Sequence, residues 1–132
     1  MPRWLVKTET DSYAFADLTR DGSIEWDGVR NHAAAAHLRA MAVGDPVLVY
    51  HSGAERAAVG VARVARAARP DGDGGWVSVA LEAVAPLPVP VTLAAMKADA
   101  ALAGMAMLRQ SRLSVSPVSD AEWAVVMELA KG

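Results

Sequence analysis

Apolar and polar positions along this chain predict short strands interleaved with short helices. Trp4 to Lys7 reads as a short strand. Ala14 to Arg20 reads as a brief helix closed by Asp21-Gly22, where glycine takes the left-handed stop. The tight segment Trp26-Asp27-Gly28-Val29-Arg30 leads into Asn31, which suits the N-cap of a helix running to about Met41. Val43-Gly44-Asp45-Pro46 ends it. Val47 to His51 is apolar and continuous, as in a strand buried on both faces. Val59 to Ala67 places Val59 and Val61 on one face, with Gly60 and Ala62 opposite. In Trp76 to Val84, Val77, Val79 and Leu81 alternate with Ser78, Ala80 and Glu82. Asp71-Gly72-Asp73-Gly74-Gly75 joins these two strands as a hairpin turn. Pro86, Pro88 and Pro90 predict an extended passage, and Thr92 caps a short helix to about Asp99. A final helix opens with Ser119 and Glu122, the spacing of a capping box, and carries Trp123, Val126, Met127 and Ala130 on one face.

No repeat, low-complexity tract or linker divides the chain, so residues 1–132 are expected to form one domain. Interspersed strands and helices without regular βαβ alternation predict an α+β fold built on a small, partly closed β-barrel. The chain is 53% hydrophobic, but much of that is alanine, which contributes little area per residue. It has no cysteine, which removes disulfides, thiol nucleophiles and thiolate zinc sites and fits a reducing compartment. Met1-Pro2-Arg3-Trp4-Leu5-Val6-Lys7 turns polar too soon for a signal-peptide core, and no apolar run is long enough to span a bilayer. The expected location is the cytoplasm.

The formal charge of −2 argues against holding long nucleic acid by its backbone, because phosphate contacts dominate that affinity. It leaves room for a local pocket that recognises one nucleotide. Ten of the 13 basic residues are Arg, which suits planar, bidentate contacts and equally reflects a biased gene composition.

Metal chemistry finds little support. His32 and His37 are five apart on one expected helix and point to different faces, while His51 lies on a strand. Asp71, Asp73, Gly75 and Glu82 imitate a calcium loop, but Trp76 stands where that loop needs glycine. No nucleophile elbow, P-loop or dinucleotide fingerprint occurs. Two clusters remain. In Trp26-Asp27-Gly28-Val29-Arg30-Asn31 the indole can stack on a planar base, and free backbone N–H groups can receive oxygens. Alternatively Trp26 is core and Arg30-Asn31 start a helix. Tyr50-His51-Ser52 ends the most apolar strand, as a site at a rim or as the start of a loop.

Together these strings resemble the EVE domain of the PUA-like superfamily. The resemblance runs from Trp4-Leu5-Val6-Lys7-Thr8-Glu9 and Tyr13 through Asp17-Leu18 and Trp26 to Asn31. It continues with Leu38-Arg39-Ala40-Met41, Gly44-Asp45, Tyr50-His51-Ser52, Val59-Gly60 and Trp76. Arg112-Leu113-Ser114-Val115, Pro117-Val118 and Glu122-Trp123 complete it. It implies a small β-barrel surrounded by short helices that reads a modified base in DNA or RNA, the base being turned out into an aromatic pocket. By matching motif, the implied ligand-binding residues are Trp4, Lys7, Glu9, Trp26, Val29, Arg30, Asn31, Tyr50, His51, Ser52, Arg112, Leu113 and Ser114.

Trp26 or Tyr50 would stack, Asn31 and Ser52 would read the base edge, and Arg30, Arg39, Arg109 and Arg112 would meet flanking phosphates. Lys7 and Glu9 share a strand face and fit either a buried pair beneath the pocket or a purely structural one. The expected partner is nucleic acid carrying a modified base, bound by a monomer without metal, cofactor or membrane. The chain departs from the family pattern in three places: Thr10 replaces Pro, His32 replaces an aromatic, and Ala33 to Ala36 replaces a polar run. Two other classes compete. One is a nucleoside-modifying hydrolase of the ASCH type using Lys7 and Glu9; the other is a protein-interaction domain.

Overall fold

A computed structural model describes residues 2–132; Met1, the first residue of the expected domain and N-terminal segment, lies outside them. In chain order the elements are β1 (Arg3–Glu9), α1 (Phe15–Asp21), β2 (Ser23–Trp26), α2 (His32–Ala40), β3 (Pro46–Ser52), β4 (Ala57–Pro70), β5 (Val77–Thr92), α3 (Leu93–Ala98), a 3-10 turn (Ala100–Leu102), α4 (Ala106–Arg109), β6 (Val115–Val118) and α5 (Asp120–Leu129). The fold is mixed α+β. Its six-stranded sheet has the order β2-β5-β4-β3-β1-β6, antiparallel throughout except for the parallel pair β1 and β3.

The helix starts follow from local chemistry. Asn31 caps α2 by accepting from the Ala34 N–H at 2.9 Å, and Thr92 caps α3 through Ala95 at 3.1 Å. Ser119 and Glu122 form the reciprocal capping box of α5. On α5, Trp123 and Val126 are buried, as is Ala130 at its C-cap, while Met127 is half-buried at the margin.

The sheet divides two apolar layers. Trp4, Val6, Val47 and Val49 pack with Phe15, Leu18 and Leu38 under α1 and α2; Leu5, Leu48 and Tyr50 pack with Met96, Leu102, Trp123 and Val126 under the C-terminal helices. β3 is therefore covered on both faces, which is why it reads as a continuous apolar run. Gly60 provides the close approach that closes the first layer. A Cβ there would lie 2.5 Å from the Phe15 ring, so only glycine fits.

Three features differ from expectation. Val59 and Val61 pack into different layers, because register shifts between Ala58 and Gly60 and between Val61 and Ala62 interrupt the two-residue period. The proline passage is the end of β5. It pairs with β4 through Gly60, Ala58 and Ala57, while β2 pairs only with Val79 to Glu82, so the missing proline N–H groups interrupt no second ladder. The ladder also does not close into a barrel: β2 and β6, each four residues long, stand at its two ends. β2, β6, α4 and the 3-10 turn escape the sequence pattern. They are too short for a period and are held by tertiary burial of residues such as Leu102, Met105 and Met107. Among the described residues no helix is long and apolar enough to cross a membrane.

Candidate functional site

The opening between the ends of the sheet is a cleft of about 320 Å³. β2 and the segment after it supply Ile24, Glu25, Trp26, Asp27, Gly28, Val29 and Arg30; the facing wall is Lys7, Thr8, Tyr13 and Ser114. Trp26 is half-buried: one part packs on the core and another lines the cleft. Val29 is buried behind it.

Gly28 turns the chain with φ of 75°, and its N–H donates to Asp71 Oδ2 at 2.9 Å. Arg30 donates to the same oxygen at 3.0 Å and lies 5.6 Å over the Trp76 ring. The hairpin turn between β4 and β5 is thus clasped to the cleft rim. His32 stacks on Trp76 with centroids 4.9 Å apart. Arg39 donates to the Gly75 carbonyl and belongs to the same clasp. The Gly28 N–H and then the Arg30 guanidinium hold Asp71 below the usual carboxylate range.

Asn31, Arg109, Arg112 and Leu113 line an adjoining groove, with Ala33 and not a polar side chain on its helix wall. Asn31 Oδ1 accepts the capping N–H of Ala34, which leaves one oxygen lone pair and the Nδ2 donors for a ligand. Leu113 is buried, whereas both arginines are exposed.

Trp4 is core. Its indole Nε1 donates to buried Asp45 at 3.0 Å, and it does not line the cleft. Tyr50 and His51 are buried as well. His51 Nε2 accepts from the Phe15 N–H at 2.9 Å, which puts the proton on Nδ1, where Glu55 accepts it. His51 therefore ties β3 to α1. Ser52 lies at the strand end and does not line this cleft.

The buried Lys7–Glu9 pair does not form. Glu9 is exposed, beside Asp11 and Glu55, while Lys7 donates to the Ser111 carbonyl at 2.8 Å and sits 5.9 Å from the Tyr50 ring centre. Burial holds the Lys7 ammonium below its ordinary value. Thr8, Tyr13, Glu25, Asp27 and Asp71 were not among the expected site residues, although Thr8, Tyr13 and Asp27 stand in the family strings. Thr8 donates its hydroxyl to the Tyr13 carbonyl at 2.8 Å. Among the described residues no His, Cys, Asp and Glu group is arranged to hold a metal ion.

Comparison with known proteins bears on this geometry. A solved protein from Rhodopseudomonas palustris is 41% identical, covers 99% of this chain and 94% of its own, and superposes with a TM-score of 0.94. The human THYN1 protein, solved in complex with DNA containing 5-methylcytosine, is 25% identical, covers 100% and 99%, and superposes with a TM-score of 0.93. A Schizosaccharomyces pombe protein is 31% identical across 87% of this chain, which spans only 57% of that protein. The EVE domain model matches residues 2–129. The chain belongs to the EVE domain family.

Proposed function

We propose that the chain is a non-catalytic module that binds nucleic acid and takes a modified base, turned out of the stack, into the cleft between β2 and β1. The observation that carries this reading is Trp26, half-buried and presented to an open cleft of about 320 Å³. That is the low end of the range for small-ligand sites, roughly 300 Å³ upward. A base leaves its stack at a cost of a few kcal/mol, and an indole returns roughly 1–3 kcal/mol by stacking. Lys7 and Ser114 in the facing wall offer hydrogen bonds to the base edge. Arg109 and Arg112 in the adjoining groove are placed for flanking phosphates. The likeness to the THYN1 complex with 5-methylcytosine DNA supports the same reading.

A hydrolase would need Lys7, Thr8 and Glu9 to converge. Here each is turned elsewhere: Lys7 to Ser111, Thr8 to Tyr13, and Glu9 to solvent. The test is fluorescence anisotropy at fixed low salt. Matched DNA and RNA oligonucleotides each carry one unmodified, methylated, hydroxymethylated or acylated base. One modified form is expected to bind more tightly than its unmodified match. Trp26→Ala should weaken it by roughly 5- to 150-fold, the equivalent of about 1–3 kcal/mol, while the fold is retained. Uniform binding across the panel, or an unchanged affinity in Trp26→Ala, would overturn the reading.

A further inference from the structure

A second cleft, of about 200 Å³, opens beside Lys7 and shares that residue with the first. Three cations border it: Lys7 from β1, Arg56 from the turn between β3 and β4, and Lys97 from α3. None of its described lining residues is acidic. In a chain of net charge −2, three cations around a space this small concentrate positive potential locally. Among the described residues, no carboxylate pairs with any of the three.

Two further observations point to a ligand. Tyr50 is 4% exposed and lines this cleft, and its hydroxyl, which makes no hydrogen bond to protein among the described residues and is not a buried atom, opens onto the cleft. A phenol O–H so placed is free to donate to a ligand. Burial pushes the Tyr50 phenol upward, opposed only by nearby Arg56, so it remains an O–H donor at neutral pH. Arg56 is the one non-glycine residue with positive φ, 50°, among the described residues. That left-handed backbone is costly for a long side chain, and Nε donation to the Gly53 carbonyl at 3.2 Å holds the side chain in place. Leu93 and Met107 complete the walls, while Arg56 and Lys97 are exposed.

We infer that this second cleft is a phosphate site, built from Lys7, Arg56, Lys97 and the Tyr50 hydroxyl. Lysine ammonium groups, a guanidinium and a phenol O–H are all donors, matched to the non-bridging oxygens of a phosphate. The phosphate belongs either to the nucleic-acid backbone beside the turned-out base or to a free mononucleotide. Its assignment stands on the cleft's own donors; only the backbone source rests on the function proposed above.

The test compares the wild type with Arg56→Gly, which relaxes the positive φ, and with Lys97→Gln. Folding of each is checked by circular dichroism. Amide resonances are followed by NMR during titration with inorganic phosphate and with thymidine monophosphate, against sodium chloride at matched ionic strength. Saturable shifts at Ser52, Gly53 and Ser111, at least fivefold weaker in both variants and absent with chloride, are expected. In the oligonucleotide arm, the slope of log affinity against log salt should fall by about 1 in either variant. Shifts with a changed slope assign the phosphate to the backbone, and shifts without one assign it to a free nucleotide; both support the site. Equal shifts with chloride, or no saturable shift and no change in slope, overturn it. Failure of the base-reading function shows separately, as wild-type protein that does not distinguish modified from unmodified oligonucleotides.

Discussion

Trp26 to Asn31 and Tyr50 to Ser52 look alike as strings, an aromatic residue followed by polar groups, but the fold uses them in opposite ways. The first leaves the sheet at the end of β2, turns at Gly28, and keeps Trp26 half-buried against an open cleft. The second is still paired strand, between β1 and β4, and its Tyr50 and His51 are buried. His51 has both ring nitrogens engaged within the protein, by Phe15 and Glu55. The difference teaches that residue type proposes a site, while position in the ladder decides whether its polar groups remain free for a ligand. In a central strand, polar atoms closed off from water, such as the two His51 ring nitrogens, require local partners, while the Tyr50 hydroxyl, open to the second cleft, is left free. A terminal strand beside a gap imposes no such requirement.

Three changes would break or sharpen that contrast. The largest effect belongs to His51. His51→Ala leaves the Phe15 N–H without an acceptor and opens a cavity beneath α1, and should cost about 2–4 kcal/mol in urea unfolding. Oligonucleotide affinity per folded molecule should stay at the wild-type value; a specific loss of affinity in folded protein would return His51 to the binding site.

Gly28→Ala comes next. No atom lies within 4 Å of the added Cβ, so the cost is that of the positive φ alone, about 1 kcal/mol of stability. Oligonucleotide binding should weaken more than stability does, because the turn sets the Trp26 wall. Equal effects on both would make the turn merely structural.

The smallest effect is the acid titration of the clasp. The Asp71 pKa is lowered in the folded state, so its contribution is present above the ordinary 3.8 and is lost as pH falls through the lower folded value. The Gly28 amide resonance should therefore hold its position from neutrality to that ordinary value and move only below it. In Asp71→Asn that movement should disappear. Movement retained in the variant would assign the titration to another group.

Much of the fold was legible from local chemistry. Asn31, Thr92 and the Ser119–Glu122 pair start their helices where side-chain oxygens meet unpaired N–H groups three residues on. The unbroken apolar run of β3 announced burial on two faces. Less of the candidate site was legible. Trp4 and Trp26 are both indoles beside polar residues, and nothing local separates the one bonded to Asp45 in the core from the one presented to a cleft. The Lys7–Glu9 pair failed because strand alternation gives a shared face but not a shared depth. At the end of β1 the chain runs out to solvent between those two residues.

By itself, then, the sequence determined the α+β composition of the chain, its helix caps, its doubly covered strand and its family strings. These depend on hydrogen bonds and periodicities that act within a few residues. Tertiary structure alone decided that β2 and β6 stand apart at the ends of the sheet, and that Asp71 ties the hairpin turn to Gly28 and Arg30. It also gathered Lys7, Arg56 and Lys97 around one cleft. Those features join residues more than 40 positions apart, and no short-range preference of the chain records how distant segments meet.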